Sequence, residues 1–200
     1  MSYSQRDEEP AILKAFGDKA DGRFLDVGAF DGKTFSNTLA LVERGWSGVC
    51  VEPSPTVFPA LLELHGGNER VSLVQAVVAS QWGWVEFWDS GGDAISTTVE
   101  AHRDLWRDKG AKNYRTVTMP AITPANLLAR FPGPFDLVNI DTEGTSTDLF
   151  RLFWGIGLRP RVWCVEHDGN DKAIQTMAGG YRLAYRSGEN VVLVGEDTNA

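Results

Sequence analysis

The chain has 200 residues, 42% hydrophobic and 23% charged, with a formal net charge of −8. A chain of this size buries enough surface to fold without disulfides or a structural metal, and its acidity excludes a protein that wraps duplex DNA by broad phosphate neutralisation. No apolar run approaches the roughly 20 residues that span a bilayer, and Met1 to Pro10 is acidic and polar where a secretory signal needs a basic start and an apolar core.

The expectation is a single domain over residues 1–200, soluble and cytoplasmic, with residues 1–20 as an N-terminal helical extension. Arg23 to Gly28 is a short apolar run ending in a turn signal, hence a buried strand. Lys33 to Glu43 has helical spacing, with Phe35, Leu39 and Val42 on one side and Gly45 as its stop. Val49-Cys50-Val51 is a second strand ended by Glu52-Pro53. Thr56 to His65 is a second helix, closed by Gly66-Gly67, and Val71 to Val77 a third strand. This β-α-β-α-β order predicts a parallel sheet with helices on both faces.

Trp84 to Trp88 reads as a strand, with Trp82, Trp84 and Trp88 sharing a core-facing side. Residues 89–98 are Gly, Ser and Thr rich, hence loop; Val99 to Lys109 reads as a surface helix and Tyr114 to Met119 as a strand. Parallel order resumes with a strand from Phe135 to Ile140, a helix from Thr147 to Trp154 and a strand from Val162 to Glu166. Tyr181 to Arg186 and Val191 to Val194 flank Ser187-Gly188-Glu189-Asn190, a hairpin signature that closes the sheet with an antiparallel strand. The two cysteines, Cys50 and Cys164, lie inside apolar runs and read as buried, reduced thiols.

Ligands of open parallel sheets bind beyond the carboxyl ends of the strands. Here those ends carry Asp26-Val27-Gly28-Ala29-Phe30-Asp31-Gly32, Glu52-Pro53-Ser54, Asp141-Thr142-Glu143-Gly144 and Glu166-His167-Asp168-Gly169. A carboxylate at nearly every end suits a ligand with hydroxyls, amines or positive charge. A dinucleotide turn would leave bare amides for a pyrophosphate; Asp31 instead argues for a nucleoside without phosphates. Glu52, roughly twenty residues past the glycine turn, suits a carboxylate accepting two ribose hydroxyls.

These residues resemble the FkbM-type S-adenosylmethionine-dependent methyltransferases. The similarity runs from about Phe24 to Asp168. It is carried by Phe24 to Gly32, Ser36-Asn37-Thr38, Gly45 to Pro53, Ile140 to Gly144 and Val165-Glu166. The family usually shows Asn where Phe30 stands. The resemblance implies a Rossmann-like, seven-stranded, mostly parallel sheet with an antiparallel last strand, the class I methyltransferase fold, and S-adenosylmethionine as cofactor. It further implies that Asp26, Gly28, Ala29, Asp31 and Gly32 line the methionine and ribose, with Phe30 and Pro53 in the same two turns. Ser36 and Asn37, on the first turns of the next helix, would hold the amino-acid end. Glu52 would take the ribose, Ala76 and Val77 would flank the adenine, and Asp141 would lie beside the methyl group.

Methyl transfer to a hydroxyl also needs a proton removed. Asp141, Glu143 and His167 are the candidates; His65 and His102 read as surface residues. Asp141, Glu143 and Asp168 could instead gather Mg²⁺, but the adopted reading holds no metal. Residues 89–115 read as an acceptor-binding lid, locally basic through Arg103, Arg107, Lys109, Lys112 and Arg115, although a solvated helix of charge pairs explains the same residues. The expected activity is O-methylation of a small molecule or sugar, without extended nucleic-acid or membrane binding. A non-catalytic cofactor-binding protein and an NAD-linked oxidoreductase are the alternatives.

Overall fold

The computed structural model describes residues 2–196. In it α1 (Glu8–Phe16) precedes β1 (Arg23–Val27), α2 (Leu39–Glu43), β2 (Ser47–Val51), α3 (Phe58–His65) and β3 (Val71–Val74). A smaller unit follows: β4 (Val77–Val78), β5 (Gly83–Asp89), α4 (Glu100–Asp108) and β6 (Arg115–Ile122). The chain returns through α5 (Pro124–Arg130), β7 (Leu137–Ile140), α6 (Ser146–Gly155), β8 (Val162–Glu166), α7 (Asp171–Met177), β9 (Tyr181–Arg186) and β10 (Asn190–Gly195). The seven-stranded sheet runs β3-β2-β1-β7-β8-β10-β9, with β10 antiparallel between β8 and β9. A three-stranded sheet, β4-β6-β5, stands beside it. Among the described residues no helix is long and apolar enough to cross a membrane.

Strand alternation distributes the core. On one face Leu25 and Val27 of β1 join Val138, Ile140, Phe150 and Trp163. On the other, Phe24 packs with Trp46 and with Ile12 and Phe16 of α1. Asp26 therefore points to the Phe24 face, at the carboxyl end of β1. Chain order reverses between β1 and β7, which opens a crevice at their carboxyl ends.

Several elements differ from expectation. The helix expected over 33–43 is confined to Leu39–Glu43, because Phe35 has left-handed backbone (φ 59°) and the segment before α2 is irregular. Ser36 and Asn37 thus precede α2 and are not on its first turns. The third strand stops at Val74, since its partner ends at Glu52, whose N–H donates to the Val74 carbonyl at 3.1 Å; Val77–Val78 then crosses to β6. Trp82 and Trp84 are 78% and 73% exposed, not core. Only Trp88 on that face is covered, by the Arg103 guanidinium 4.6 Å from its ring centre. Helices α5 and α7 went unread. Proline at the start of α5 and the Thr123 side chain accepting from Asn126 N are sufficient start signals.

Candidate active site

The turn after β1 is tied to the end of β2. Gly28 and Ala29 N–H groups both donate to the Val51 carbonyl, at 2.9 and 3.1 Å. The next amide, Phe30 N, donates to Glu52 Oε2 at 3.0 Å, and Ser54 N donates to Glu52 Oε1 at 2.7 Å. Glu52 is 6% exposed, and each of its oxygens keeps acceptor capacity for a ligand hydroxyl. Burial pushes its carboxyl up to about 7, against the lowering effect of the two backbone donors.

Gly28 allows β1 and β7 to meet closely. Its φ is +88°, and a Cβ there would stand 1.7 Å from the Asp141 carbonyl oxygen. A cavity of about 560 Å³ opens over this junction, within the roughly 300–1,000 Å³ of small-molecule sites. Asp26, Gly28, Ala29, Phe30, Ser36 and Asn37 line it from the β1 side, and Glu52, Pro53, Ala76 and Val77 from beyond β2 and β3. Asn139, Asp141, Glu143 and Glu166 line it from β7 and β8. The opposite wall is built from residues 93–96 and Thr98 with His102, Leu105, Trp106 and Lys109. Among the described residues, the four non-glycine positions with left-handed backbone, Phe30, Phe35, Glu143 and Asp168, all line this cavity. Strain of this kind, about 1–3 kcal/mol per residue, collects where a site is being shaped.

A family model described as the methyltransferase FkbM domain matches residues 26–183, most of the chain, from the carboxyl end of β1 into β9. The chain belongs to the FkbM methyltransferase family. Solved structures share the fold. A putative methyltransferase, yhhF, from Escherichia coli is 12% identical, covering 98% of this chain and 89% of its own at a TM-score of 0.53. The C-terminal domain of precorrin-6Y C5,15-methyltransferase from Rhodobacter capsulatus is 14% identical, with 94% and 86% coverage and a TM-score of 0.50. A human methyltransferase 10 domain containing protein is 10% identical, with 100% and 85% coverage and a TM-score of 0.50. No curated protein sequence matches significantly.

In this FkbM family member three expected site residues lie off the cavity wall. Asp31 caps its own turn, accepting from Lys33 N at 2.8 Å, Thr34 N at 2.6 Å and the Thr34 hydroxyl at 2.7 Å. Asp31 therefore does not face the cavity, and the repulsion of a pyrophosphate expected of it has no support there. Gly32 packs on α3, where a Cβ would meet Leu61 at 2.7 Å. His167 is buried, its Nδ1 accepting from Gly169 N at 3.0 Å. Ser36 lines the cavity, yet its hydroxyl is occupied locally, accepting from Leu39 N at 3.0 Å.

The histidine in the wall is His102, not a free surface residue. Its Nε2 lies 2.7 Å from Glu143 Oε2 and 2.9 Å from Trp106 Nε1. The hydrogen bond to Glu143 raises its pKa, burial opposes this, and the charges of Glu143, Glu166 and Asp168 add to the rise. His102, Leu105, Trp106 and Lys109 have the i, i+3, i+4, i+7 spacing of one helix face, which was the available sequence signal. His65, the last residue of α3, is also buried, beside Gly32, and burial lowers its pKa.

Carboxylate oxygens of Asp141, Glu143 and Glu166 lie within 4.8 Å of one another; Glu166, not Asp168, completes this trio. Glu166 Oε2 accepts from Glu143 N at 2.9 Å, the Ser146 hydroxyl at 2.7 Å and Thr142 N at 3.2 Å, closing the turn into α6. Burial, then mutual and neighbouring negative charge, pushes both Asp141 and Glu166 well above the usual carboxylate range. The lid's basic residues are largely spent on partners: Arg103 on Glu100 and Asp104, Arg107 on Asp104, and Arg115 on buried Asp89.

Proposed function

We propose that the protein transfers the methyl group of S-adenosylmethionine to a hydroxyl of a small molecule or sugar. The observation that carries this reading is the arrangement of one cavity. A buried acid suited to a ribose, Glu52, and a His102–Glu143 pair suited to proton removal both face it. The residues fit the cofactor: Glu52 would take the ribose hydroxyls, Pro53, Ala76 and Val77 would flank the adenine, and Asn37, linked to Asp26 through Asn139, would receive the amino-acid tail. Asn37 Oδ1 is buried and lacks a partner, an acceptor suited to a ligand ammonium. The amides of the glycine turn that a pyrophosphate would need, those of Gly28, Ala29 and Phe30, are spent on the Val51 carbonyl and Glu52, which disfavours a dinucleotide.

When bound, the cofactor supplies a methyl group already activated by its sulfonium. The chain's own work is to hold the acceptor in line and to exclude water. His102 takes the hydroxyl proton, and the adjacent Glu143 carboxylate balances the resulting imidazolium. Ile95, Leu105 and Trp106 offer apolar contact to the acceptor, and Ser96 and Thr98 offer hydroxyls. Residues 89–115 are read as the lid that carries these contacts. With one Glu166 oxygen already committed to three donors, the acidic trio is read as bracing the turn into α6 and the reaction as metal-independent.

Calorimetric titration with S-adenosylhomocysteine and with NADH tests the cofactor assignment. Tight binding of the former, abolished by Glu52→Ala, is expected; preference for NADH overturns it.

A further inference from the structure

We infer that Asp26 and Asn139 form a polarity relay that holds the Asn37 amide with its carbonyl oxygen toward the cavity, making Asn37 the residue that selects the cofactor's α-ammonium. The inference rests on the S-adenosylmethionine reading and goes beyond it.

A row of neighbours crosses the sheet on the Phe24 face: Cys50 on β2, Asp26 on β1, Asn139 on β7 and Cys164 on β8. All four are buried. Thr38 Oγ1 donates to Asp26 Oδ2 at 2.6 Å, and Asn139 Nδ2 donates to Asp26 Oδ1 at 2.8 Å. Asn37, reaching over the row, donates through Nδ2 to Asn139 Oδ1 at 3.0 Å and to Cys164 Sγ at 3.5 Å.

The two ends of an amide have nearly the same shape, so packing alone does not orient it. Charge does. Burial raises the Asp26 carboxyl against the lowering effect of its Thr38 and Asn139 hydrogen bonds; ionised, or protonated on the oxygen that faces Thr38, it still meets Asn139 with an acceptor, Oδ1. Asn139 must therefore turn its amino group to Asp26 and its carbonyl to Asn37. Asn37 must in turn spend its amino group on Asn139 and Cys164. What is left is Asn37 Oδ1, on a residue 4% exposed, with no partner. An unmet buried acceptor is destabilising, so it marks a place where a donor is wanted. The cofactor's tail offers one strong donor, its α-ammonium, and one group this oxygen would repel, its carboxylate.

The test compares S-adenosylhomocysteine with its deaminated analogue, the same thioether acid without the α-amino group, by calorimetry. The wild-type protein should prefer the amine by at least about tenfold. In Asp26→Asn the new amide can accept from Asn139 or donate to it, with the Thr38 hydroxyl taking the complementary part, so the fold survives while Asn37 is free to show either end of its amide to the cavity. The preference should fall several-fold, chiefly through a gain in affinity for the deaminated analogue, which an Asn37 free to turn no longer penalises. Asn139→Leu separates a relay from simple contact between Asp26 and the ligand. Both ends of the Asn139 amide are spent within the chain, so the preference should fall although the Asp26 charge is intact. Full preference in Asn139→Leu overturns the relay. If leucine prevents folding, as judged by melting, Asn139→Ala is used, with the same loss expected. Tight wild-type binding of both ligands without discrimination also overturns the relay but leaves the cofactor reading standing. Binding of neither ligand removes both.

Discussion

Burial and ligand binding pull the Glu52 carboxyl in opposite directions. Desolvation lifts it from 4.5 to about 7, whereas a ribose needs the ionised acceptor. Affinity for S-adenosylhomocysteine should therefore weaken by about tenfold for each pH unit below that value and level off above it, as measured by titration across the range. The sign for stability is the reverse. Between 4.5 and about 7 the folded protein holds a proton that the unfolded chain has released. The ligand-free protein thus loses stability as pH rises through that window, by about 3 kcal/mol from this group. Melting at the two ends of the window should show a fall, and Glu52→Gln should reduce it. At His102 the expectation is kinetic. His102→Ala should lower kcat by about 10²–10⁴-fold with cofactor affinity changed only a few-fold, whereas His167→Ala should leave kcat near wild type. The acid limb of the rate profile should lie above 6.5, because the Glu143 hydrogen bond raises the imidazole, and Glu143→Gln should move it down.

The Glu52 turn is braced from the smaller sheet. Asp89, at the end of β5, is fully buried and accepts from the Ser54 hydroxyl at 3.0 Å, the Thr56 hydroxyl at 2.6 Å and Arg115 Nε at 3.1 Å. Burial raises its carboxyl, but hydrogen bonds from Thr56, Gly91, Ser54 and Arg115 outweigh this and hold it below the usual range. Ser54 is the same residue whose N–H fixes Glu52. Asp89→Ala should therefore lower stability by about 2–3 kcal/mol, and weaken cofactor binding while leaving kcat at saturation near wild type. Chemical denaturation and titration check the two parts. This brace was not legible in the sequence, because Asp89 and Ser54 are brought together only when the end of β5 reaches the turn after β2. The main sheet was legible, since buried parallel strands are continuous apolar runs and each ends at a visible turn. The break between β3 and β4 was not, because Gln75 and Ala76 interrupt the run without a glycine or proline. His102 was missed for a related reason: a histidine among arginines and aspartates reads as solvated until the i, i+4 partner Trp106 is counted with it. His167 drew attention because it follows a strand, but a strand end fixes the backbone's position, not the side chain's direction.

The two sheets meet around the cavity and share a hydrophobic core through Val78 and Ile122, so what fills the cavity should be felt by the whole molecule. Strands β1, β2, β7 and β8 form its floor, and β5 with the segment leading into α4 forms its roof. Polar and charged groups on both sides face each other there: Glu52 and Asn37 below, His102 and Lys109 above. Without a ligand the roof is held chiefly by the Asp89 brace, the Thr97 hydroxyl donating to the Glu143 carbonyl at 2.7 Å, and the His102–Glu143 contact. A ligand bound only by the folded state adds RT ln(1 + [L]/Kd), about 2.7 kcal/mol at a hundredfold excess over Kd. For a chain of this length that is a rise of about 5–11 °C in melting temperature. S-adenosylhomocysteine should produce this shift in the wild type and none in Glu52→Ala. A single shifted transition is expected, because a ligand gripped by floor and roof makes their unfolding one event. If the melt instead splits, with only one component moving, the ligand is held by one sheet alone and the roof is not part of its site.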